Sequence, residues 1–302
     1  MAETPLLWRG EMTTRRALTG RGLGFLSPGM LWLIGFLVLP SLLFIVLSFA
    51  ERGVYGEVVW NFSLANYKRL AGFGTFGWTP DYLLILGRSV LVAFVTTSVS
   101  ILLAYPLTFF IASRPPRSRF MWLIILIIPF WTNIVIRTYA WFFLLSPEFP
   151  FARIAAFLGL IENGTSLYPS AFAVYVGMIS DYLPFLALPL YSSVERLDWS
   201  LVEAAQDLYA SRVRVFMQAI LPQTAPGLTV GIILTFVPTM ATFVVPDLLG
   251  GAKYMLVGNL IQQQFGTSRD WPFGAAISMA LMLLTLLSMR IYRRKGASVE
   301  IL

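Results

Sequence analysis

The chain has 302 residues, of which 57% are hydrophobic and only 12% charged, with a mean hydropathy of +0.74. Soluble domains carry roughly 25% charged residues, so this composition excludes an ordinary soluble globular protein. The sequence contains neither Cys nor His, which excludes disulfide frameworks, thiol nucleophiles, Ser/His/Asp triads and imidazole-ligated metals. Its lysines, Lys68, Lys253 and Lys295, all lack a preceding glycine, so the Gly-Lys pair of a nucleotide-binding P-loop is absent.

Six apolar stretches reach the length of about 20 residues that crosses the hydrocarbon of a bilayer: 29–49, 88–112, 120–145, 171–191, 227–249 and 274–292. An all-α membrane protein with six transmembrane helices is expected. Prolines inside these runs (Pro40, Pro106, Pro129, Pro184, Pro189, Pro238 and Pro246) predict kinked or interrupted spans, tolerated where neighbours satisfy the freed carbonyls. Gly227 and Gly231 form a small-xxx-small pair expected to serve helix packing. The first run is preceded by 28 residues, lacks an obvious small-x-small cleavage site at its end, and reads as a retained span.

Positive residues orient the spans, because Lys and Arg flanks stay cytoplasmic. Arg9, Arg15, Arg16 and Arg21 precede the first span, Arg114, Arg117 and Arg119 lie in loop two, Arg196, Arg212 and Arg214 in loop four, and Arg290, Arg293, Arg294 and Lys295 in the tail, 14 in all. The alternate loops hold six: Arg52, Lys68, Arg69, Arg153, Lys253 and Arg269. Both termini are therefore expected in the cytoplasm, and the net charge of +7 follows from this bias without nucleic-acid binding. The layout is a segment 1–28, a membrane domain 29–292 whose loop four spans 192–226, and a tail 293–302.

Some motifs carry no weight. Gly72, Gly74 and Gly77 match G-x-G-x-x-G, but no strand precedes them and Trp78-Thr79-Pro80 follows where a helix should open, so a flexible outer loop is expected. Asn61-Phe62-Ser63 and Asn163-Gly164-Thr165 fit a glycosylation pattern short enough to arise by chance.

Loop four is unlike a passive linker. Ser200 with Glu203 three residues later reads as a capping box, and Leu201, Ala204, Ala205 and Leu208 recur on one helical face opposite Glu203, Gln206 and Asp207. A second set, Val213, Phe216, Met217, Ile220 and Leu221, is expected to end at Pro222. The carboxylates Glu195, Asp198, Glu203 and Asp207 argue against a helix resting on the negative inner leaflet and for one that docks into another protein.

Glu203-Ala204-Ala205 followed by Leu221-Pro222 resembles the EAA motif of permease subunits in ATP-binding-cassette importers. Tyr209 stands where that motif has Gly, and Ala219 where it has Ile; a Tyr there is expected to prefer a turn without positive φ. Pro129-Phe130-Trp131-Thr132-Asn133, Leu188-Pro189-Leu190-Tyr191-Ser192-Ser193, Asp247-Leu248-Leu249-Gly250-Gly251-Ala252-Lys253 and Arg269-Asp270-Trp271-Pro272-Phe273-Gly274 closely resemble segments of spermidine/putrescine importer permeases. The resemblance implies a type I importer permease fold in a bacterial inner membrane. It also implies a second permease subunit, two cytoplasmic ATPases that bind ATP and Mg in place of any cofactor on this chain, and an external solute-binding protein. Glu203, Ala204, Ala205, Asp207, Leu221 and Pro222 would form the coupling element to the ATPase. The implied cargo is a small cationic amine such as putrescine or spermidine, with an opine or another amino-acid derivative as the alternative.

Charges inside spans are costly and mark candidate function. Asp181 and Arg137 are the deep ones. They form either a structural ion pair, with each other or with a partner permease, or a cation receptor in which Asp181 takes an ammonium and Trp131, Tyr139 and Tyr182 wall its methylene stem. Asn133 lies beside them on the expected path. Trp141 and Trp271 read as interfacial anchors, and Arg88 and Asp247 sit toward outer span ends. An ungated channel would need pore-lining rings that the sequence does not display, and an intramembrane aspartyl dyad would need Asp181 and Asp247 side by side.

Overall fold

The computed structural model describes residues 26–74, 77–251 and 254–297, with side chains described to residue 290. The basic segment with Arg9, Arg15, Arg16 and Arg21, the loop residue Lys253, the side chains of Arg293, Arg294 and Lys295, and the last tail residues 298–302 lie outside the described residues.

Among the described residues five helices are long and apolar enough to cross a membrane, and a bent helix pair supplies a sixth, broken span. The first, α1, is Leu26–Ser48. After it come a two-strand ribbon (β1 Glu51–Arg52, β2 Val58–Val59), α2 Ala65–Leu70, and a second ribbon (β3 Phe73–Gly74, β4 Gly77–Trp78). The glycine-rich segment expected to be a flexible loop is thus a short antiparallel hairpin, with Gly72 and Gly77 at φ 96° and 110° that only glycine adopts freely. Then α3 runs over Asp81–Ala112, seven residues earlier than expected, and buries Ser89, Val92, Ala93, Thr96, Ser100, Ala104, Thr108 and Ile111 along one stripe.

The third span is not one helix. α4, Pro116–Ile127, tightens into a 3-10 turn at Ile128–Trp131, Thr132 and Asn133 are extended, and α5, Ile134–Leu144, leaves at 95°. Pro129 cannot donate to the ladder, and the Asn133 side chain accepts from Val135 N at 2.8 Å to restart the helix. A short helix α6, Pro150–Phe157, precedes α7, Ala171–Val194. Loop four holds α8, Trp199–Asp207.

From Arg212 to Ala241 the chain is one continuous helical run, α9. Pro222 was expected to end a helix there, and it does not. A π-helical turn at Phe216–Ile220 lies just ahead of Leu221-Pro222, and another at Ile34–Val38 lies just ahead of Leu39-Pro40. A wider turn displaces the carbonyl that the proline ring would strike, so the helix passes through. The run breaks at Thr242 and Phe243 rather than continuing to 249, and α10, Val244–Gly250, is separate. α11, Val257–Phe265, and α12, Trp271–Ala297, complete the chain; α12 carries helix into the expected tail.

At the centre α7 packs against both α9 and α3, while α1 lies along α12. The approach of α7 to α9 depends on glycine. A Cβ on Gly231 would stand 2.9 Å from the Leu186 carbonyl oxygen, and one on Gly227 would collide with Pro189 O and Ser193 Oγ. Gly227 N also donates to Ser193 Oγ at 3.0 Å. Ala104, Leu186, Ala187, Leu190 and Val194 fill the core toward loop four, and Val92, Val174, Met178, Val245 and Leu249 fill it toward the opposite end.

Candidate functional site

Two neighbouring residues of α7 hold the two helix breaks. Asp181, 3% exposed at its side chain, meets Arg137 of α5 with Oδ1 2.6 Å from Nε. The same guanidinium donates from Nη1 to the Pro129 carbonyl at 2.8 Å, on the last turn before the first break. Tyr182 points the other way, and its hydroxyl donates to the Pro238 carbonyl at 3.4 Å, one turn before the second break. Pro238 O also accepts from Thr242 N at 3.0 Å. These are carbonyls at helix C-termini, where partial negative charge gathers and donors are needed.

Arg137 and Asp181 are therefore partners within the chain. The contact lies off the line of an ideal hydrogen bond, and Asp181 Oδ2 is buried with no partner among the described residues. Ser180, beside Asp181, accepts from Trp141 Nε1 at 2.7 Å, so Trp141 is a half-buried part of this cluster. Phe130 lies 6.0 Å below the Arg137 guanidinium and stacks edge-on against Phe185. Trp131 (86% exposed), Tyr139, Asn133 and Asp247 stand on exposed surface and do not enclose the pair. Since the partner of Asp181 is Arg137 and Asp247 is exposed, no aspartyl dyad forms. Pro129 and Pro238 were expected to interrupt their spans, but that their carbonyls would be held by Arg137 and Tyr182, and that Phe130 would lie beneath Arg137, was not foreseen. The signal was present: a proline inside an apolar run frees a carbonyl, and a nearby Arg or Tyr can answer it.

At the end remote from loop four, Asp270 caps α12 by accepting from Phe273 N at 3.2 Å, and its other oxygen takes Arg69 Nη1 at 2.8 Å. Arg69 also lies 3.9 Å over the Phe273 ring. Burial alone would lower its pKa, but the hydrogen bonds to Tyr82 and Asp270 raise it above the ordinary value, so the cation that ties α2 to α12 stays charged. Arg88 lies 5.4 Å from the Tyr254 ring.

Loop four folds as two helices meeting at a corner. Asp198, not Ser200, caps α8: its Oδ1 accepts from Ser200 N at 3.0 Å and from the Ser200 hydroxyl at 2.7 Å. An aspartate one residue before Trp199 outcompetes a serine inside the first turn. The buried stripe is Val202 against Leu197 and Val215, with Ala205 at its edge. Leu201, Ala204 and Leu208, expected on the apolar inner face, are exposed along with Glu203, Gln206 and Asp207. In the second helix Val215 is the inward residue, and Val213 and Met217 point out. Gln223 holds the corner to α9, accepting from Asp198 N at 2.9 Å and donating to Ala219 O at 2.8 Å. Leu221 is half-buried and Pro222 exposed. Tyr209 takes φ 56°, so the turn keeps the left-handed geometry of a glycine although a tyrosine occupies it.

Residues 104–299 match the family described as binding-protein-dependent transport system inner membrane component. Over 263 residues, 87% of this chain and 93% of the relative, the sequence is 40% identical to the spermidine/putrescine transport system permease protein PotB of Escherichia coli K12. It is 36% identical over 263 residues to the PotB of Haemophilus influenzae, covering 87% of this chain and 90% of that one. The fold matches a chain of a bacterial alginate ABC transporter in complex with alginate pentasaccharide-bound periplasmic protein, with a TM-score of 0.67, 15% identity, and 96% and 97% of the two chains covered.

Proposed function

We propose, from the premise that the chain belongs to the family of binding-protein-dependent transport system inner membrane components, that it is a permease subunit of an ATP-driven importer of polyamines. As a member of that family it is a multi-pass inner-membrane protein. The observation that carries the cargo is the 40% identity to a spermidine/putrescine permease along 87% of the chain. The complex has a second, different permease subunit, two cytoplasmic ATPases that bind ATP and Mg, and an external binding protein; this chain holds no cofactor of its own. Both termini and loop four face the cytoplasm.

The roles follow from the chemistry of the residues. Glu203, Ala204 and Asp207 present the exposed face of α8 to the ATPase, Ala205 seats that face on the Val202 cluster, and Leu221 and Pro222 join the corner to α9. Inside the membrane, Asp181, Arg137 and Tyr182 sit where two interrupted helices converge, the arrangement that transporters use for midplane sites. The unpartnered Oδ2 of Asp181 gives a passing ammonium an acceptor, with Arg137 as the resting counter-charge. Trp131, Asn133, Tyr139 and Asp247 line the exposed approach shared with the second permease.

Reconstitution of the four-component complex in liposomes, with labelled putrescine, spermidine and an opine outside, tests the reading. ATP-dependent accumulation of the polyamines is expected. Accumulation of the opine alone would reassign the cargo, and equilibration without ATP would make the protein a channel.

A further inference from the structure

One face of α7 runs from the helix breaks to the loop-four end of the chain without being covered. Asp181, Phe185, Pro189, Ser192 and Arg196 follow one another at steps of three or four residues, which places them on a single helical face. From Phe185 onward each of them is half-buried or exposed, whereas Ala187, Leu190 and Val194 on the opposite side are buried. α9 carries a matching stripe, Pro226, Val230, Leu234 and Pro238, also half-buried or exposed. At one end the stripes meet where Tyr182 donates to the Pro238 carbonyl. At the other they border a crevice of about 560 Å³ between α7 and the base of α9, a size that admits a small ligand.

The two ends of this groove differ in charge. Asp181 offers a carboxylate at the inner end, about 22 Å from Arg196 at 1.5 Å per residue. Among the described residues the crevice lining holds no carboxylate; its polar side chains are Ser192, Ser193, Gln223 and the guanidinium of Arg196. The nearby carboxylates that could neutralise this cation are engaged elsewhere, Glu195 with Arg119 at 3.3 Å and Asp198 with the first turn of α8. Arg196 is folded back on the end of α7, donating from Nε to the Ser192 carbonyl at 3.1 Å and from Nη2 to the Ser192 hydroxyl at 2.8 Å. Those bonds hold the charge against the crevice wall instead of letting it swing into solvent.

We infer that this groove is the release half of the cargo path and that Arg196 is a specificity residue at its mouth, where its fixed positive charge keeps amines from settling. The inference rests on the polyamine-importer reading above and names the residue that makes the release end bind weakly. A path conducts only if each site along it binds weakly enough to be left. An ammonium freed from Asp181 meets only neutral hydroxyls and an amide before it reaches a like charge, so the mouth gives it no second place to stop. The same charge lowers the local concentration of cytoplasmic polyamine at the mouth. The repulsion grows with the number of ammonium groups, so it acts more on spermidine than on putrescine.

The test uses the whole importer in liposomes, with ATP inside and the binding protein and labelled putrescine outside. Unlabelled putrescine or spermidine inside is raised until the initial rate of uptake falls by half. Arg196→Glu is expected to lower that half-inhibiting putrescine concentration about tenfold at low ionic strength, the effect of a two-unit change of charge about 7 Å from one ammonium in a water-like medium. The shift for spermidine should be larger. Arg196→Gln, which can still donate to Ser192, should fall between, Arg196→Lys should match wild type, and added salt should shrink every shift. If Arg196 serves only to close the end of α7, the variants change the thermal stability of the complex and leave luminal inhibition where it was. That outcome, or equal shifts for the two amines, would overturn the inference while leaving the importer reading intact. A wild-type complex that accumulates no polyamine defeats that reading itself, and the inference with it.

Discussion

Replacing Asp181 by Asn tests the ion pair that joins α7 to the first helix break. The change keeps the shape of the side chain and leaves the Arg137 guanidinium, 15% exposed, without its counter-charge. Removing one partner of a buried pair costs about 3–5 kcal/mol. Arg137 keeps its bond to the Pro129 carbonyl at 2.8 Å and some access to solvent, which places the loss near the lower end, about 3 kcal/mol, or over a hundredfold in the folding equilibrium. Arg137→Gln should cost a similar amount, because Asp181 is then alone at 3% exposure. With both changes no buried charge remains, and the double variant should recover about 2 kcal/mol relative to the sum of the singles, within the range of directly coupled neighbours. Denaturant titration of the purified chain in mixed micelles, run on the four members of the cycle, measures this term. Additive losses, or an Asp181→Asn chain within about 0.5 kcal/mol of wild type, would refute the pair as a structural element. Uptake then separates the second role: a stable double variant that still imports polyamines normally would show that Asp181 does not receive the cargo.

Gly231→Ala places a methyl group 2.9 Å from the Leu186 carbonyl oxygen, and backbone cannot yield as a side chain does; a loss of about 1–3 kcal/mol is expected in the same titration, and an unchanged midpoint would contradict the close approach of α7 and α9. Because the chain has no native cysteine, Ser113→Cys and Asn163→Cys, both at exposed positions, report topology without background. An impermeant thiol reagent applied to intact cells with a permeabilised outer membrane should modify Asn163→Cys and leave Ser113→Cys silent, and the reverse pattern would invert the orientation.

Apolar run length located five of the six spans to within seven residues at each end, because the bilayer imposes a length and the chain has few charges to hide; the fifth, expected at 227–249, runs instead over Arg212–Ala241. What run length could not supply was continuity. The Pro129 and Pro222 segments look alike in sequence, each a proline within or beside an apolar helix, yet one helix bends by 95° and the other passes through. The difference lies in what surrounds the freed carbonyls: Arg137 answers Pro129 O, whereas a π turn absorbs Pro222. Those are tertiary facts, and periodicity is blind to them. The face of α8 shifted by one residue for the same reason, since Leu197 and Val215, distant in sequence, choose Val202 over Leu201. The EAA-like motif pointed to the family that the match over residues 104–299 shows. At Tyr209 the motif and the propensity disagreed, and the fold kept the glycine's backbone with a tyrosine in it.

The same geometry bears on how a signal from the cytoplasm could reach the middle of the membrane. A loop helix can move a distant site only through an element stiff enough not to absorb the displacement. Here α8 is tied by Gln223 to the base of α9, and α9 is helical without interruption from the tip at Arg212 to Ala241. Its far end carries Pro238, whose carbonyl receives Tyr182. Asp181, the preceding residue, holds Arg137 and through it Pro129. A tilt of α9 about its glycine contact with α7 therefore acts on both helix breaks through two consecutive residues. The breaks are where the backbone has already surrendered its ladder, so they are the cheapest places for it to rearrange. Replacing Met217 and Gln218, both exposed on α9, by glycine would add a hinge where the lever needs stiffness, while leaving Val202, Val215, Gln223 and the clamp chemically unchanged. Stimulated ATP hydrolysis should then become independent of cargo delivery although the ATPase still binds, which is the signature of a severed connection rather than a lost interface.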